Sequence, residues 1–153
     1  MSSTRRRPSA GRAIVLTSAL GAVMLLTCLP AESAPAASLG ARAVQAAASK
    51  KGTPYRWGAT GPRHFDCSGL TLYAYKRAGR TIPRTAAAQH HHSRRISPSA
   101  RRQGDLVFFH TGNTVYHVGL YAGHNRIWHS PKPGRTVRRE RLWTSRVWYG
   151  RVA

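Results

Sequence analysis

The apolar pattern of this chain changes period once, and that change constrains the fold more than any other feature. Before Gly104, apolar residues recur at three- and four-residue steps; after it, they come in short runs broken by turn residues. The first pattern belongs to helices with one buried face, the second to strands. Ser38 is placed to cap a helix running to about Lys50, with Leu39, Ala43, Val44, Ala47 and Ala48 on a small apolar face. Gly52-Thr53-Pro54 stops it. A Gly- and Pro-containing loop over 55–65 leads to Asp66, a candidate N-cap. The second helix then carries Cys67 in its first turn, continues through Leu70, Tyr73, Ala74 and Arg77, and stops at Gly79. A short third helix is expected from Thr85 to about His91. Beyond Gly104 the spacing predicts strands over 105–109, 115–121, 125–130, 136–141 and 147–152, with turns at 111–114 and 122–124. Helices first and an antiparallel sheet afterwards is an α+β order.

The N-terminus reads as an export signal. Arg5, Arg6, Arg7 and Arg12 form a basic region, residues 13–29 are apolar and uncharged, and Ala34-Pro35-Ala36 fits a small-residue cleavage site. The expected organisation is a signal peptide over 1–36 and one small domain over 37–153, secreted or held at the cell envelope. The apolar run is borderline for spanning a bilayer, which takes about 20 residues, so an uncleaved anchor is the alternative. Cys28 reads as part of the hydrophobic segment, because Thr27 suits a lipidation site poorly. Cys67 is then the only cysteine of the domain and has no disulfide partner in its own chain. A thiol at a helix N-terminus has its thiolate stabilised by the helix dipole and free N–H groups, which makes a nucleophile the first expectation. An inert core cysteine is the plain alternative.

Charge narrows the setting. The chain has 25 basic and 4 acidic residues; without the four signal arginines and Glu32, its formal charge falls from +21 to +18. Such a balance favours polyanionic partners, and export makes anionic cell-envelope polymers the natural ones. No dedicated nucleic-acid motif is present, and the only expected membrane contact is through the signal segment. Asp66, Asp105 and Glu140 are the remaining acids, too few for paired-carboxylate glycosidase chemistry. His90-His91-His92 invites a metal reading, but adjacent histidines on a helix point apart and no Cys or Asp lies at ligand spacing. A solvated basic segment is the simpler reading, and no metal or cofactor is expected. Arg94, Arg95, Arg101 and Arg102 read as a solvated basic loop, and the C-terminal aromatics as core.

A thiol nucleophile needs a base, and the base needs a group to orient it. A turn centred on Gly123 places His117 and His129, six residues to either side, directly opposite each other and on one face. A one-residue slip would put them on opposite faces. One imidazole could accept the thiol proton while the other fixes its tautomer.

At this point the sequence resembles the NlpC-type family of cell-wall cysteine peptidases. The resemblance runs through Pro54-Tyr55-Arg56-Trp57-Gly58, Phe65-Asp66-Cys67-Ser68-Gly69-Leu70, Ile82-Pro83-Arg84-Thr85, Gly104-Asp105-Leu106-Val107-Phe108-Phe109, His117-Val118-Gly119-Leu120-Tyr121 and Ile127-Trp128-His129-Ser130. It implies a papain-like α+β fold, with N-terminal helices packed on a small antiparallel sheet; separately, a monomer is expected. It also implies Cys67 as nucleophile, His117 as base and His129 as the polar third member. Tyr55 would support the oxyanion, and Asp66 and Ser68 would line a subsite for the free amino end of a substrate. Each of these three has a plainer reading: Tyr55 as loop packing, Asp66 as a helix cap, Ser68 as a local hydrogen bond. The implied substrate is a peptidoglycan stem peptide, cut between the γ-carboxyl of D-glutamate and the diamino acid. A basic envelope- or nucleic-acid-binding module on the same scaffold is the competing expectation. Ala59 departs from the family pattern, which often has a second glycine there, and this leaves the loop backbone open.

Overall fold

The structure is a computed structural model that describes residues 35–153. The expected signal over 1–36 therefore lies almost wholly outside the described residues. No helix among the described residues is long and apolar enough to cross a membrane.

Three helices precede the main sheet: α1 (Leu39–Ala48), α2 (Cys67–Ala78) and α3 (Ala86–His92). Ser38 caps α1 by accepting from the Ala41 N–H at 3.2 Å, and Ala43 and Ala47 form the buried face of that helix. Small residues there let α1 lie close against α2, the central helix, which buries Leu70, Thr71, Ala74, Tyr75 and Ala78. Gly79 ends α2 with a left-handed φ of 100°, where a side chain would be strained.

The strands are β1 (Arg94–Ile96), β2 (Leu106–Thr111), β3 (Thr114–Gly123), β4 (Arg126–His129), β5 (Arg138–Arg141) and β6 (Val147–Arg151). They form one antiparallel sheet in the order β1-β6-β2-β3-β4-β5. β2 is buried on both faces. Leu106 and Phe108 join Leu70, Tyr75, Val118 and Leu120 in the core beneath the helices. Val107 and Phe109 join Ile96, Tyr121, Ile127 and Tyr149 on the other face. This two-sided burial explains the unbroken run Leu106-Val107-Phe108-Phe109, where a half-exposed strand would alternate.

The helices and five of the strands match the sequence expectation to within a residue or two. β1 does not: Arg94 and Arg95, read as a solvated loop, extend the sheet by pairing with Arg151 and Gly150. Only Ile96 of this strand is buried, so its local pattern carries almost no signal.

The β3–β4 register also differs from expectation. The turn is made by His124 and Asn125, both left-handed at φ 49° and 57°, and Ala122 bulges out of β3. Leu120 pairs with Trp128, so one further step sets Gly119, rather than His117, beside His129. The offset is two residues, which leaves His117 and His129 on one face because side chains alternate with period two.

Candidate active site

The loop before α2 is drawn together by Asp66. Its Oδ1 accepts from the Gly69 N–H at 2.7 Å, capping the helix, and its Oδ2 accepts from the Gly58 N–H at 2.9 Å. Gly58 takes the left-handed conformation, φ 75°, whereas Ala59 does not, so the departure at Ala59 leaves the loop unstrained. Gly69 must lack a side chain: a Cβ there would run into the Ala59 carbonyl oxygen. Arg84 closes this knot. Its Nη2 meets Asp66 Oδ2 at 2.5 Å, and its Nη1 donates to Asp66 Oδ1 at 3.1 Å and to Ser68 Oγ at 2.9 Å. The carboxylate and hydroxyl assigned to a substrate subsite thus have partners within the chain. Arg84 carried no expected role of its own, although its Ile82–Thr85 stretch stood among the family-like segments.

Cys67 is the first residue of α2 and is half-buried. Two contacts bring it to the sheet. The Val118 N–H of β3 and groups of Ser68 lie close enough to the sulfur to pull its pKa down, and the Ser130 hydroxyl just past β4 donates to the Phe65 carbonyl at 2.8 Å. The helix start is therefore pinned beside the residue that follows His117 and the residue that follows His129. Burial pushes the thiol pKa up, and the nearby N–H donors only partly offset this; Asp66 adds to the rise. The expected helix-terminus stabilisation of the thiolate is outweighed, so the resting sulfur is a thiol.

His117 sits on β3 directly after Tyr116, an extra residue that interrupts pairing between Phe109↔His117 and His110↔Val115. Bulges of this kind re-aim neighbouring side chains. His117 is 7% exposed and His129 1%. Their rings meet through Nε2 of His117 and Nδ1 of His129 at 2.9 Å. Gly119 leaves the room for this contact, since a Cβ there would sit 3.3 Å from that of His129 and 3.0 Å from Ile127 Cδ1. The chain of contacts then continues past the expected third member. His129 Nε2 lies 3.0 Å from Glu140 Oε2, which also accepts from Arg138 Nε at 2.9 Å, with Arg138 Nη2 in ion-pair contact at 2.8 Å. Glu140 was visible in the sequence only as a lone acid between Arg138, Arg139 and Arg141. Nothing local marks it as a partner of a residue eleven positions away.

Electrostatics keep both rings neutral near pH 7. Burial, reinforced by the neighbouring His129, takes the His117 pKa down to about 3, against a smaller upward pull from Glu140. Burial also lowers His129, although the Glu140 carboxylate works in the other direction. Burial would raise Glu140, but the hydrogen bonds from Arg138 and His129 prevail and hold it below the usual carboxylate value. Neutral imidazoles and a protonated thiol suit general-base chemistry rather than a preformed ion pair.

Trp143, stacked on Phe109 at 4.4 Å between centroids, lies over the histidine pair. A cleft of about 320 Å3 opens beside the pair, lined also by Tyr116, Lys132, Arg138 and Trp143. On the other side, Tyr55 is half-buried, with its pKa raised by burial and then by the charges of Cys67 and Asp66. Its hydroxyl thus shares the neighbourhood of the sulfur. The histidine run of α3 does something else: His90 stacks on Trp148 at 4.8 Å and packs edge-on against Phe108, while His91 and His92 are exposed.

Residues 52–152 match the NlpC/P60 family. A probable endopeptidase of Corynebacterium glutamicum is 47% identical over 112 residues, which cover 73% of this chain and 52% of that protein. The bifunctional muramidase/DL-endopeptidase CwlT of Bacillus subtilis is 43% identical over 88 residues, 55% of this chain and 27% of that protein. The chain thus spans about half the length of the first of these relatives and less of the second. Among solved structures, the NlpC/p60 domain of the peptidoglycan hydrolase SagA superposes with a TM-score of 0.68 at 35% identity. That match covers 74% of this chain and 98% of that domain.

Proposed function

The chain belongs to the NlpC/P60 family, and from that premise we propose that it is an exported cysteine endopeptidase that hydrolyses an amide bond of peptidoglycan stem peptides. Residues 1–36 serve as the export signal in this reading, and 37–153 as the hydrolase domain. The observation that carries it is the linked pair of buried, neutral histidines on β3 and β4, with the loop that leads into Cys67 tied to the residue after His129.

The proposed reaction assigns each group one task. His117 takes the Cys67 proton as sulfur bonds to the amide carbonyl carbon. The tetrahedral oxyanion is held by the Cys67 backbone N–H and the Tyr55 hydroxyl, donors typically worth about 3–4 kcal/mol each in the transition state. The imidazolium returns its proton to the leaving nitrogen, the C–N bond breaks, and a thioester remains. Water, deprotonated by the same imidazole, releases the acid and restores the thiol. Asp66, Ser68 and Arg84 set the floor of the subsite for the amino end of the substrate. The proposed bond is that between γ-D-glutamate and the diamino acid, in keeping with the DL-endopeptidase name borne by the Bacillus relative. A formal charge of +18 without the signal residues suits work among anionic wall polymers.

Incubation with purified muropeptides, followed by mass spectrometry, tests the reading. The expected products are a fragment ending in D-glutamate and one beginning with the diamino acid. Intact muropeptides that nevertheless bind the protein, with affinity falling steeply in salt, would select the binding-module alternative.

The titration state of His117 gives a second expected result. Its base form persists well below the ordinary imidazole value of 6.5. The acid limb of kcat/KM should therefore lie below pH 6.5, as measured by a pH series on one muropeptide. A limb at or above 6.5 would contradict the buried, neutral base. The same depression has a stability consequence. Between pH 6.5 and about 3 the unfolded chain binds a proton at His117 that the folded one does not. Folding stability therefore declines as pH falls through that window.

A further inference from the structure

We infer that Glu140 is a positioning residue, acting through His129 to set the proton positions on both imidazoles so that Nδ1 of His117 is the basic nitrogen. The inference rests on the proposed roles of Cys67 and His117, and it concerns which of two proton arrangements the pair adopts.

The His117–His129 contact joins one nitrogen of each ring and is compatible with a proton on either. If His129 carries its proton on Nδ1, that N–H donates to His117 Nε2, and the His117 proton sits on Nδ1. His117 then has no lone pair left for a thiol. If His129 carries its proton on Nε2, His129 Nδ1 accepts from His117 Nε2–H, and His117 Nδ1 is free to act as base. In isolation the two arrangements are nearly equivalent.

Glu140 removes the equivalence. An ionised carboxylate can only accept, so a contact of 3.0 Å between its Oε2 and His129 Nε2 requires the proton on Nε2. The choice then propagates through the 2.9 Å contact to His117. Arg138 keeps the device set, because its Nε donates to the same Glu140 oxygen at 2.9 Å and its Nη2 lies 2.8 Å from it as an ion pair. That clamp fixes the carboxylate in place. The register of β5 supports it: Arg138 pairs with His129 and Glu140 with Ile127, so all three side chains lie on one face. The other two acidic side chains among the described residues, Asp66 and Asp105, are bonded to Arg84 and Arg151 and contact neither ring.

The test has two arms. In the Cys67→Ala protein, long-range 15N–1H correlation spectra of the histidine rings at pH 7 should show both His117 and His129 protonated on Nε2. This readout needs no hydrolysis, so it stands or falls separately from the proposed activity. Adding Glu140→Ala to that protein should give mixed tautomers, and Glu140→Gln, whose amide oxygen still accepts, should restore the Nε2–H form. In the thiol-bearing protein, Glu140→Ala should lower kcat by about 10–100-fold, the range seen when carboxylate partners of metal-bound histidines are removed, with KM changed less than about twofold. Glu140→Gln should recover most of kcat. An Nδ1–H signal on either ring of the Glu140-containing protein overturns the inference, and that spectrum decides the matter even if Glu140→Ala fails to fold. A kcat loss without any tautomer change in Glu140→Ala overturns it equally.

Discussion

Replacing Cys67 with alanine is expected to abolish muropeptide cleavage, by on the order of 10^4-fold or more, while leaving the fold intact. The two halves of this result have separate causes. Loss of a nucleophile in a covalent mechanism costs orders of magnitude, leaving only the residual acceleration that binding and oxyanion donors give to direct attack by water. Retention of the fold follows from where the side chain sits. Cys67 is half-buried in the first turn of α2, and the cap of that helix comes from Asp66, not from the thiol. Alanine is a good helix former, and removing one partly exposed sulfur should cost no more than about 1 kcal/mol. Circular dichroism and a melting curve check the fold, and mass spectrometry of muropeptide products checks the chemistry. Cleavage surviving in a well-folded Cys67→Ala protein would end the thiol mechanism. The comparison is informative because the resting sulfur is protonated. Its reactivity depends on His117 at the moment of attack, so Cys67→Ala combined with His117→Ala should be no slower than Cys67→Ala alone.

What could be read in advance divides along a physical line. Elements stabilised by their own residues were legible: the Ser38 cap and alanine face of α1, the Asp66 start and Gly79 stop of α2, and the doubly buried run of β2. So was the shared face of His117 and His129, because parity survives a two-residue error in register. Features that exist only through contacts with distant residues were not. β1 is a strand because β6 is beside it, and its arginines say nothing of pairing. The Tyr116 and Ala122 bulges, which fix how His117 meets His129, arise from mismatched ladders rather than from any turn residue in the strand. Glu140 and Arg84 are single charged residues in a chain with 25 cations and 4 acids. Their significance lies in which opposite charge the fold brings to them. The scarcity of acids does carry a lesson. The described acids each hold an arginine, and two of the three stand at the site: Asp66 under the thiol-bearing turn and Glu140 behind the histidines.

Asp66→Ala should therefore lower stability more than any other single change near the site. Asp66 is 6% exposed, and its carboxylate accepts from the N–H groups of Gly58 and Gly69, from both terminal nitrogens of Arg84 and, at 3.4 Å, from the Ser68 hydroxyl. Losing the cap alone costs about 1 kcal/mol. Losing hydrogen bonds to a charged acceptor adds about 1.5–3 kcal/mol, with the Gly69 N–H left buried and without its partner. Arg84 softens the total, because its side chain is 37% exposed and can turn to water. The net expectation is about 2–4 kcal/mol, seen as a drop of roughly 10–20 °C in the melting temperature for a domain of this size. Activity should fall with it, because the same bonds set where α2 begins and hence where the sulfur sits. Asp66→Asn should do about half as much damage. Its carbonyl oxygen can keep the Gly69 cap, but its amide then faces the Gly58 N–H and a guanidinium with donors of its own. The measurement also discriminates between the two roles open to Asp66. A drop under about 2 °C, joined to a KM raised tenfold, would mean that its internal bonds are dispensable and that the carboxylate serves the amino end of the substrate instead.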